Sequence, residues 1–216
     1  MADTTAEVHL KRSYGLVAGV EKVTEEFRSR AIQHDARTKE SNEPFLTGLV
    51  GAYTGSRQLT QQKSALVSDL QLATQEVDKA AGLAPNAIVE TSDGHFDVKR
   101  LRAMIMFLSG QLETIWGTAQ RAKELFADAA ETFDFPDPHY MLGLLYEDEY
   151  KPAEALSEFE KCLELDPAGE LSVPALREAN AMRNYKKKFR GNWLILIILL
   201  CCWIVPGVIY FKVKYK

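Results

Sequence analysis

The sequence predicts an all-α protein that ends in one membrane-spanning helix, and three observations support this fold class. Apolar residues recur at three- and four-residue steps through two long N-terminal segments. A helix–turn–helix pattern occurs twice in succession, and a long run near the C-terminus carries no charge. The predicted order is an N-terminal helical hairpin or coiled-coil region over 1–82, a linker over 83–100, two repeats with a capping helix over 101–190, a transmembrane helix over 191–211 and a short basic tail over 212–216.

The N-terminal region contains two segments with the apolar spacing of amphipathic helices. The stripe within residues 8–38 consists of Leu16, Val20, Val23, Phe27 and Ala31. The stripe within residues 57–81 consists of Leu59, Leu66, Leu70, Ala73, Val77 and Ala80. A short segment punctuated by glycines joins them. This arrangement predicts either an antiparallel hairpin or a coiled-coil arm that pairs with a second copy of the chain.

The segment from Gly82 to Lys99 interrupts the helical pattern. It contains the helix-breaking or turn-forming residues Gly82, Pro85, Asn86, Asp93 and Gly94. We therefore interpret residues 83–100 as a linker between two helical regions. Within it, Ala87 to Glu90 has the composition of a short extended piece.

Residues 101–167 contain two copies of one helical pattern. At one constant offset, Gly110 matches Gly143, Ala122 matches Ala155, Phe126 matches Phe159 and Ala129 matches Cys162. The small residues allow two helices to approach closely, and the aromatic residues fill the space between them. Pro167 then ends the second helix of the second copy. An ordinary helical bundle is the alternative for this region.

The second copy resembles the tetratricopeptide repeat (TPR), whose pattern is L-G-x-x-Y, then A-x-x-x-F, then P. It contains Leu142-Gly143, Tyr146, Ala155, Phe159 and Pro167 at the expected spacing. The first copy, from Ala103 to Phe135, departs from the pattern with Glu113 at the aromatic position and Asp134 at the proline position. Pro174 opens a further helix, predicted over 175–189, that suits a polar cap for the stacked repeats.

The resemblance implies a binding groove formed by the first helix of each repeat. The TPR family generally binds peptides or helices there. Carried over by position, the groove residues are Met104, Phe107, Gln111, Thr114 and Ile115 in the first copy and Asp137, Tyr140, Leu144, Glu147 and Asp148 in the second. Their acidic and partly aromatic character favours a basic or amphipathic segment of a partner protein. We expect these side chains to face outward, and the alternative is that Phe107 and Tyr140 pack on neighbouring helices.

The uncharged run from Trp193 to Phe211 predicts the transmembrane helix. It would span about 28 Å as a helix, close to the ~30 Å hydrocarbon core of a bilayer. Five basic residues precede the run and three follow it, and the first fifteen residues have no apolar core of a secretory signal. Both features predict a cytoplasmic N-terminal domain, in a membrane that the sequence does not identify. The basic residues Lys186, Lys187, Lys188 and Arg190 are predicted either to contact anionic lipid or to act only as a topology signal.

Charge and residue types argue against several function classes. The whole chain carries −4, and residues 186–216 hold seven basic and no acidic residues, so residues 1–185 carry −11. Such an acidic region is unsuited to nucleic acid. His9, His34, His95 and His139 occur singly, and the three cysteines have no metal-ligand spacing. We predict no catalytic residues, no metal, no cofactor and no enzyme activity.

These features together predict a tail-anchored adaptor or scaffold that recruits a soluble protein to a membrane surface. A cytoplasmic repeat pair, a capping helix and a C-terminal anchor also resemble the layout of the mitochondrial fission adaptors, although this chain has about 100 additional N-terminal residues. The alternative hypothesis is a structural or membrane-shaping assembly factor. In that case the N-terminal helices would self-associate and the chain would form a homo-oligomer.

Overall fold

The computed structural model describes residues 2–38 and 57–185, and most of these residues are helical, as the sequence predicts. The described helices are α1 (Ala2–Thr38), α2 (Arg57–Leu83), α3 (Val98–Trp116), α4 (Ala119–Thr132), α5 (Pro136–Asp148), α6 (Pro152–Leu165) and α7 (Ser172–Arg183). Two short strands, β1 (Ile88–Thr91) and β2 (Gly94–Asp97), lie between α2 and α3 in the chain.

Helices α1 and α2 pack against each other, which is the hairpin alternative of the sequence prediction. Leu10 and Val17 of α1 are buried with Leu70 and Val77 of α2 in one core. Two polar contacts fix the register of the pair. The Nδ1 atom of His9 lies 2.7 Å from Glu76 Oε2, and the Ser13 hydroxyl donates a hydrogen bond of 3.1 Å to the carbonyl of Ala73.

Glu76 is only 5% exposed, yet the hairpin accommodates its charge. Hydrogen bonds from His9 and then Lys79 lower the pKa of Glu76, and the Lys79 ammonium lies 2.7 Å from its carboxylate. Hydrogen bonds from these two partners replace most of the water contacts that the carboxylate loses on burial. The polar residues at this interface are therefore satisfied within the pair.

The predicted linker contains a β-hairpin that packs on α1. Strands β1 and β2 are antiparallel, with Val89 opposite Phe96. Gly94 has a φ of 116°, a conformation that suits glycine at this tight turn. The Phe96 ring is buried and lies 4.8 Å from the ring of Tyr14 in α1, centroid to centroid. Asp97 then caps α3 by accepting a hydrogen bond of 2.7 Å from the backbone N–H of Arg100.

The two repeats form equivalent helix pairs, α3 with α4 and α5 with α6. A Cβ added at Gly110 would lie 2.6 Å from the ring of Phe126, and one at Gly143 would lie 2.5 Å from the ring of Phe159. Both phenylalanines are fully buried, as are Ala122 and Ala155. Glycine is thus required at both positions because each ring occupies the space that a side chain would need. The matched residues of the two copies make matched contacts.

The N-terminal hairpin is the first layer of the same stack. Both α1 and α2 pack on α3, while α4 packs on α5 and α6 packs on α7. The described residues up to Arg183 accordingly belong to one compact unit, and a single core extends from Ala6 in α1 to Leu145 in α5. The order of layers is α1–α2, α3–α4, α5–α6 and then α7.

Within residues 2–38 and 57–185, none of the helices combines the length and the apolarity needed to cross a membrane. The predicted transmembrane helix over 191–211, the basic residues 186–190 and the tail over 212–216 lie outside the described residues. The capping helix predicted over 175–189 corresponds to α7, which begins at Ser172, ends at Arg183 and packs on α6.

Candidate functional site

The first helices of the layers, α1, α3, α5 and α7, contribute to one face of the stack, which we call the groove. A pocket on this face is lined jointly by Glu21 of α1, Met104 of α3 and Asp137 of α5. At the other end of α5, Glu147 interacts electrostatically with Glu178 of α7. The groove therefore extends beyond the two repeats that the sequence identified, onto the N-terminal hairpin and onto α7.

The predicted groove residues divide into two groups by exposure. The buried group consists of Phe107, Ile115, Tyr140 and Leu144, with 8%, 7%, 9% and 6% of their surface exposed. The partly accessible residues are Met104, Gln111, Thr114, Asp137, Glu147 and Asp148. The accessible part of the groove is therefore mainly polar and acidic, with little aromatic surface.

The two buried aromatic residues are part of the repeat cores. The Phe107 ring lies 5.6 Å from the ring of Phe126, and the Tyr140 ring lies 5.8 Å from the ring of Phe159, at similarly tilted angles of 47° and 55°. Such tilted pairs stabilise a helix interface beyond the apolar area that they bury. The expectation that Phe107 and Tyr140 face outward is wrong, because each ring packs on the second helix of its own repeat.

Glu147 and Asp148 lie where ionised carboxylates are least favoured. They are the last two residues of α5, at the negative end of the helix dipole. Burial raises the pKa of Glu147 to about 7, the carboxylates of Glu178 and Asp148 contribute to this rise, and Arg177 opposes them. Burial also raises the pKa of Asp148 to about 6. A positive group from outside the chain would relieve this unfavourable electrostatic environment.

Glu21 is a third acidic residue of the groove that the sequence analysis missed. Partial desolvation raises its pKa, and the carboxylates of Asp137, Asp93 and Glu25 raise it further. Glu21 lies in α1 and Asp137 in α5, so their proximity depends on the stacking of the N-terminal hairpin. No local sequence pattern indicates such a contact between distant segments.

His139 of α5 forms a buried ionic contact with two carboxylates. It is 5% exposed, its Nε2 lies 2.7 Å from Asp134 Oδ1, and its Nδ1 lies 2.6 Å from Glu158 Oε2. Both ring nitrogens donate to carboxylates only when the imidazole is protonated. Burial lowers the pKa of His139, but the hydrogen bonds to Glu158 and Asp134 outweigh it and leave the pKa raised. The imidazolium joins α6 to the segment before α5.

We expect His139→Gln to remove part of the pH dependence of stability. Because the folded-state pKa is raised, this contact contributes fully below the unfolded pKa of about 6.5 and is lost as the pH rises through the folded-state value. The free energy of unfolding lost on substitution should thus be larger at pH 6 than at pH 9, as measured by urea titration. His95→Gln, at an exposed histidine, is the matched control. An equal loss at both pH values would contradict the imidazolium assignment.

The described residues contain no cluster of three or more histidine, cysteine or acidic side chains arranged to hold a metal ion.

Cys162 is buried in the second repeat. Burial raises the pKa of its thiol to about 11, with further contributions from Asp137 and Asp166. A thiol with such a pKa stays protonated at neutral pH and is a poor nucleophile. Cys162 is the equivalent in the second repeat of the buried Ala129 in the first repeat, which indicates a packing role.

Comparison with known proteins identifies no family. No protein-family model matches the chain, and no curated protein matches it. Among solved structures, the chain is similar to the crystal structure of a thermophilic TPR protein from Thermus thermophilus, with 20% sequence identity over 77% of this chain and 74% of that chain and a TM-score of 0.35. The matched glycine–phenylalanine contacts described above show that the two copies form equivalent helix pairs.

Proposed function

We propose that this protein is a membrane-anchored adaptor that recruits a soluble protein partner through its groove. The observation that carries the proposal is the set of partly accessible carboxylates on the groove, Glu21, Asp137, Glu147 and Asp148, several of which are held in unfavourable electrostatic environments. Stacked helical repeats offer extended surfaces for binding other proteins. Residues whose ionised state is disfavoured within a fold are candidates for a binding role.

The chemistry of the groove favours a basic or amphipathic segment of the partner. Residues 1–185 carry a net charge of −11, so long-range attraction would steer a basic segment toward this surface.

The proposed anchor is the uncharged run 193–211, with the N-terminal domain on the cytoplasmic side. Its support is the length of the run and the larger basic cluster on its N-terminal side. Lys186, Lys187, Lys188 and Arg190 would then lie at the cytoplasmic surface of the bilayer, where basic residues attract anionic lipids. In this arrangement the adaptor is attached to the membrane to which it recruits its partner.

The packing of the hairpin favours the adaptor over a self-associating assembly factor. Leu66, Leu70, Ala73 and Val77 of α2 are buried within the chain, in the same core as the apolar residues of α1. The described part of this apolar stripe is thus already covered by α1 and α3. Burial of this stripe therefore does not require a second copy of the chain.

The proposal is tested by affinity capture on membranes that contain the full chain. The variant Asp137→Asn/Glu147→Gln/Asp148→Asn neutralises three of the four groove carboxylates and keeps the side-chain shapes. A matched control, Asp128→Asn/Glu131→Gln/Glu164→Gln, makes three substitutions of the same kind at exposed positions of α4 and α6. Substitution is preferable to deletion of residues 101–190, because α1 and α2 pack on α3.

We expect the control to retain the partner and the groove variant to lose most of it. The folding of both variants is checked by circular dichroism. Equal recovery of the same partner by both variants and by the unaltered chain would show that the groove is not the recognition surface.

A further inference from the structure

Helix α7, the last described layer of the stack, has one buried side and one exposed side. Ala175, Ala179 and Met182 are buried in the core that α7 shares with α6. Val173 and Leu176 are 76% and 49% exposed. In each complete repeat a second helix packs on the first, whereas the described helix that packs on α7 is α6 of the preceding layer. The exposed side of α7 therefore presents apolar side chains that the described helices leave uncovered.

The exposed side of α7 combines these apolar residues with basic ones. The side chains there follow one another at the three- and four-residue steps that place them on one helix face, and we call them the α7 outer face: Val173, Leu176, Arg177, Asn180 and Arg183. All five are exposed, and none is acidic. The acidic residue of α7, Glu178, has a side chain that is only 17% exposed and interacts with Glu147 of α5 on the groove. The α7 outer face thus differs in charge from the region 1–185, which carries −11.

The two arginines of the α7 outer face are held within the fold and remain accessible. Arg177 Nη2 lies 2.6 Å from Glu178 Oε1, and Arg183 Nη2 lies 2.8 Å from Glu160 Oε1. The arginine side chains are 72% and 48% exposed. A guanidinium has five N–H donors, more than these contacts use, so each arginine is able to donate to a phosphate oxygen as well. A symmetric pairing of two copies through this face would instead bring arginines of like charge together.

The position of α7 in the chain brings the α7 outer face within reach of the proposed anchor. The uncharged run 193–211 begins ten residues after Arg183, a distance of at most about 36 Å for an extended chain. The residues between them include no acid and four bases, Lys186, Lys187, Lys188 and Arg190. Such a cluster attracts the adjoining chain to anionic headgroups. Charge and chain length therefore favour the same neighbour for α7, a lipid surface.

We propose that the α7 outer face lies on the anionic headgroup surface of the membrane that holds the anchor. Val173 and Leu176 enter the boundary between headgroups and acyl chains, as the apolar residues of interfacial helices do, and Arg177 and Arg183 contact lipid phosphates. Two apolar side chains and two arginines are too few to hold the chain alone, so the contact depends on the high local concentration that the anchor provides.

This inference rests on the proposed anchor and adds an orientation of the stack. Helix α7 is the last described layer, and α1 and α2 form the first layer. With α7 on the bilayer, the N-terminal hairpin is the layer furthest from the lipid. The groove then extends away from the membrane, toward a soluble partner.

The test measures the quenching of tryptophan fluorescence by brominated lipids in vesicles that contain the full chain. Val173→Trp introduces a probe on the α7 outer face, and Val8→Trp introduces a control probe on α1, at a residue that is 45% exposed. The difference between each variant and the unaltered chain gives the signal of the introduced tryptophan. Trp193 and Trp203 belong to the uncharged run, so the unaltered chain reports on the anchor by itself. The vesicles contain either phosphatidylcholine alone or phosphatidylcholine with phosphatidylserine.

In vesicles with phosphatidylserine, we expect the brominated lipid to quench the Val173→Trp probe and to leave the Val8→Trp probe unchanged. Without the anionic lipid, the quenching of the Val173→Trp probe should be weaker, because the attraction of the basic groups is lost.

The contribution of the arginines is measured by adding Arg177→Gln/Arg183→Gln to the Val173→Trp chain. The ratio of docked to undocked chain should fall by about tenfold, the size expected for two partly neutralised basic groups at an anionic surface. The matched control, Arg12→Gln/Lys22→Gln at exposed positions of α1, should leave the ratio unchanged.

Quenching of the unaltered chain without quenching of the Val173→Trp probe would overturn the contact of α7 and leave the anchor in place. Equal quenching of the Val173→Trp and Val8→Trp probes would overturn it as well. An unaltered chain that the brominated lipid does not quench would contradict the anchor, and with it the membrane part of the proposed function. Both probe variants are expected to fold, which thermal unfolding by circular dichroism checks, and Leu176→Trp is a second probe of the same face.

Discussion

Replacing Phe159 with alanine is expected to lower the free energy of unfolding by about 3–5 kcal/mol, the range for large aromatic residues deleted from a core. Phe159 is fully buried, and its ring occupies the space above Gly143. Neighbouring side chains are unable to fill the cavity easily, because the two helices already lie as close as the glycine allows. A loss of this size is a large part of the ~5–15 kcal/mol of a typical domain. Urea or thermal unfolding followed by circular dichroism measures it.

The internal repeat supplies the controls for this experiment. Phe126→Ala should cost a similar amount, because Phe126 makes the same contact with Gly110. Val173→Ala, at a residue that is 76% exposed, should change stability by less than about 0.5 kcal/mol. Tyr146→Ala should cost less than Phe159→Ala, because Tyr146 is only partly buried. A loss below about 1 kcal/mol for both phenylalanines would contradict the repeat assignment.

Removing residues 191–216 is expected to release the protein from membranes completely. The deleted segment contains the uncharged run 193–211, and the described helices include none that is long and apolar enough to span a bilayer. Flotation of membranes after alkaline extraction measures the bound fraction. A chain that lacks only residues 212–216 is the matched control and should remain in the membrane fraction. Retention of the larger deletion there would show that another part of the chain holds the protein to the membrane.

The two repeats and the apolar face of α2 were predictable because their determinants are local in the sequence. Alignment of the two copies at their constant offset identified the two glycine–phenylalanine pairs that the structure brings into contact. In α2 the predicted stripe residues Leu66, Leu70, Ala73, Val77 and Ala80 are all buried. The sixth predicted residue, Leu59, lies outside the residues whose side chains the structure describes. Each of these patterns depends only on helical periodicity and on the need for small residues where helices approach closely.

The stripe of α1 was harder to predict because several of its buried residues are small or polar. Ala6, Ser13 and Thr24 are buried. Of the predicted stripe residues, Val20 is buried and Leu16 and Val23 are only partly buried, while Phe27 and Ala31 lie outside the residues whose side chains the structure describes. Ser13 is accommodated by its hydrogen bond to the carbonyl of Ala73. A count of large apolar residues overlooks a helix face that packs closely on its neighbour through small side chains.

The packing of the N-terminal helical hairpin on the repeats depends on tertiary contacts that no local pattern shows. Strands as short as β1 and β2 are difficult to recognise by alternation, and both depend on the packing of Phe96 against Tyr14. The sequence therefore indicated an extended piece at Ala87–Glu90 within a linker. For the same reason it missed Glu21 as part of the groove, since its proximity to Asp137 arises only when α1 stacks on α3.

The central claim, that groove carboxylates recruit a basic partner, is tested most directly by the association rate of the captured partner at two ionic strengths. The full chain is compared with the Asp137→Asn/Glu147→Gln/Asp148→Asn variant. The Debye length falls from about 30 Å at 0.01 M salt to about 8 Å at 0.15 M, so salt weakens long-range steering. We predict that the unaltered chain associates quickly at low salt and much more slowly at high salt, while the variant associates slowly at both. The same rate and the same salt dependence in the folded variant would contradict the claim.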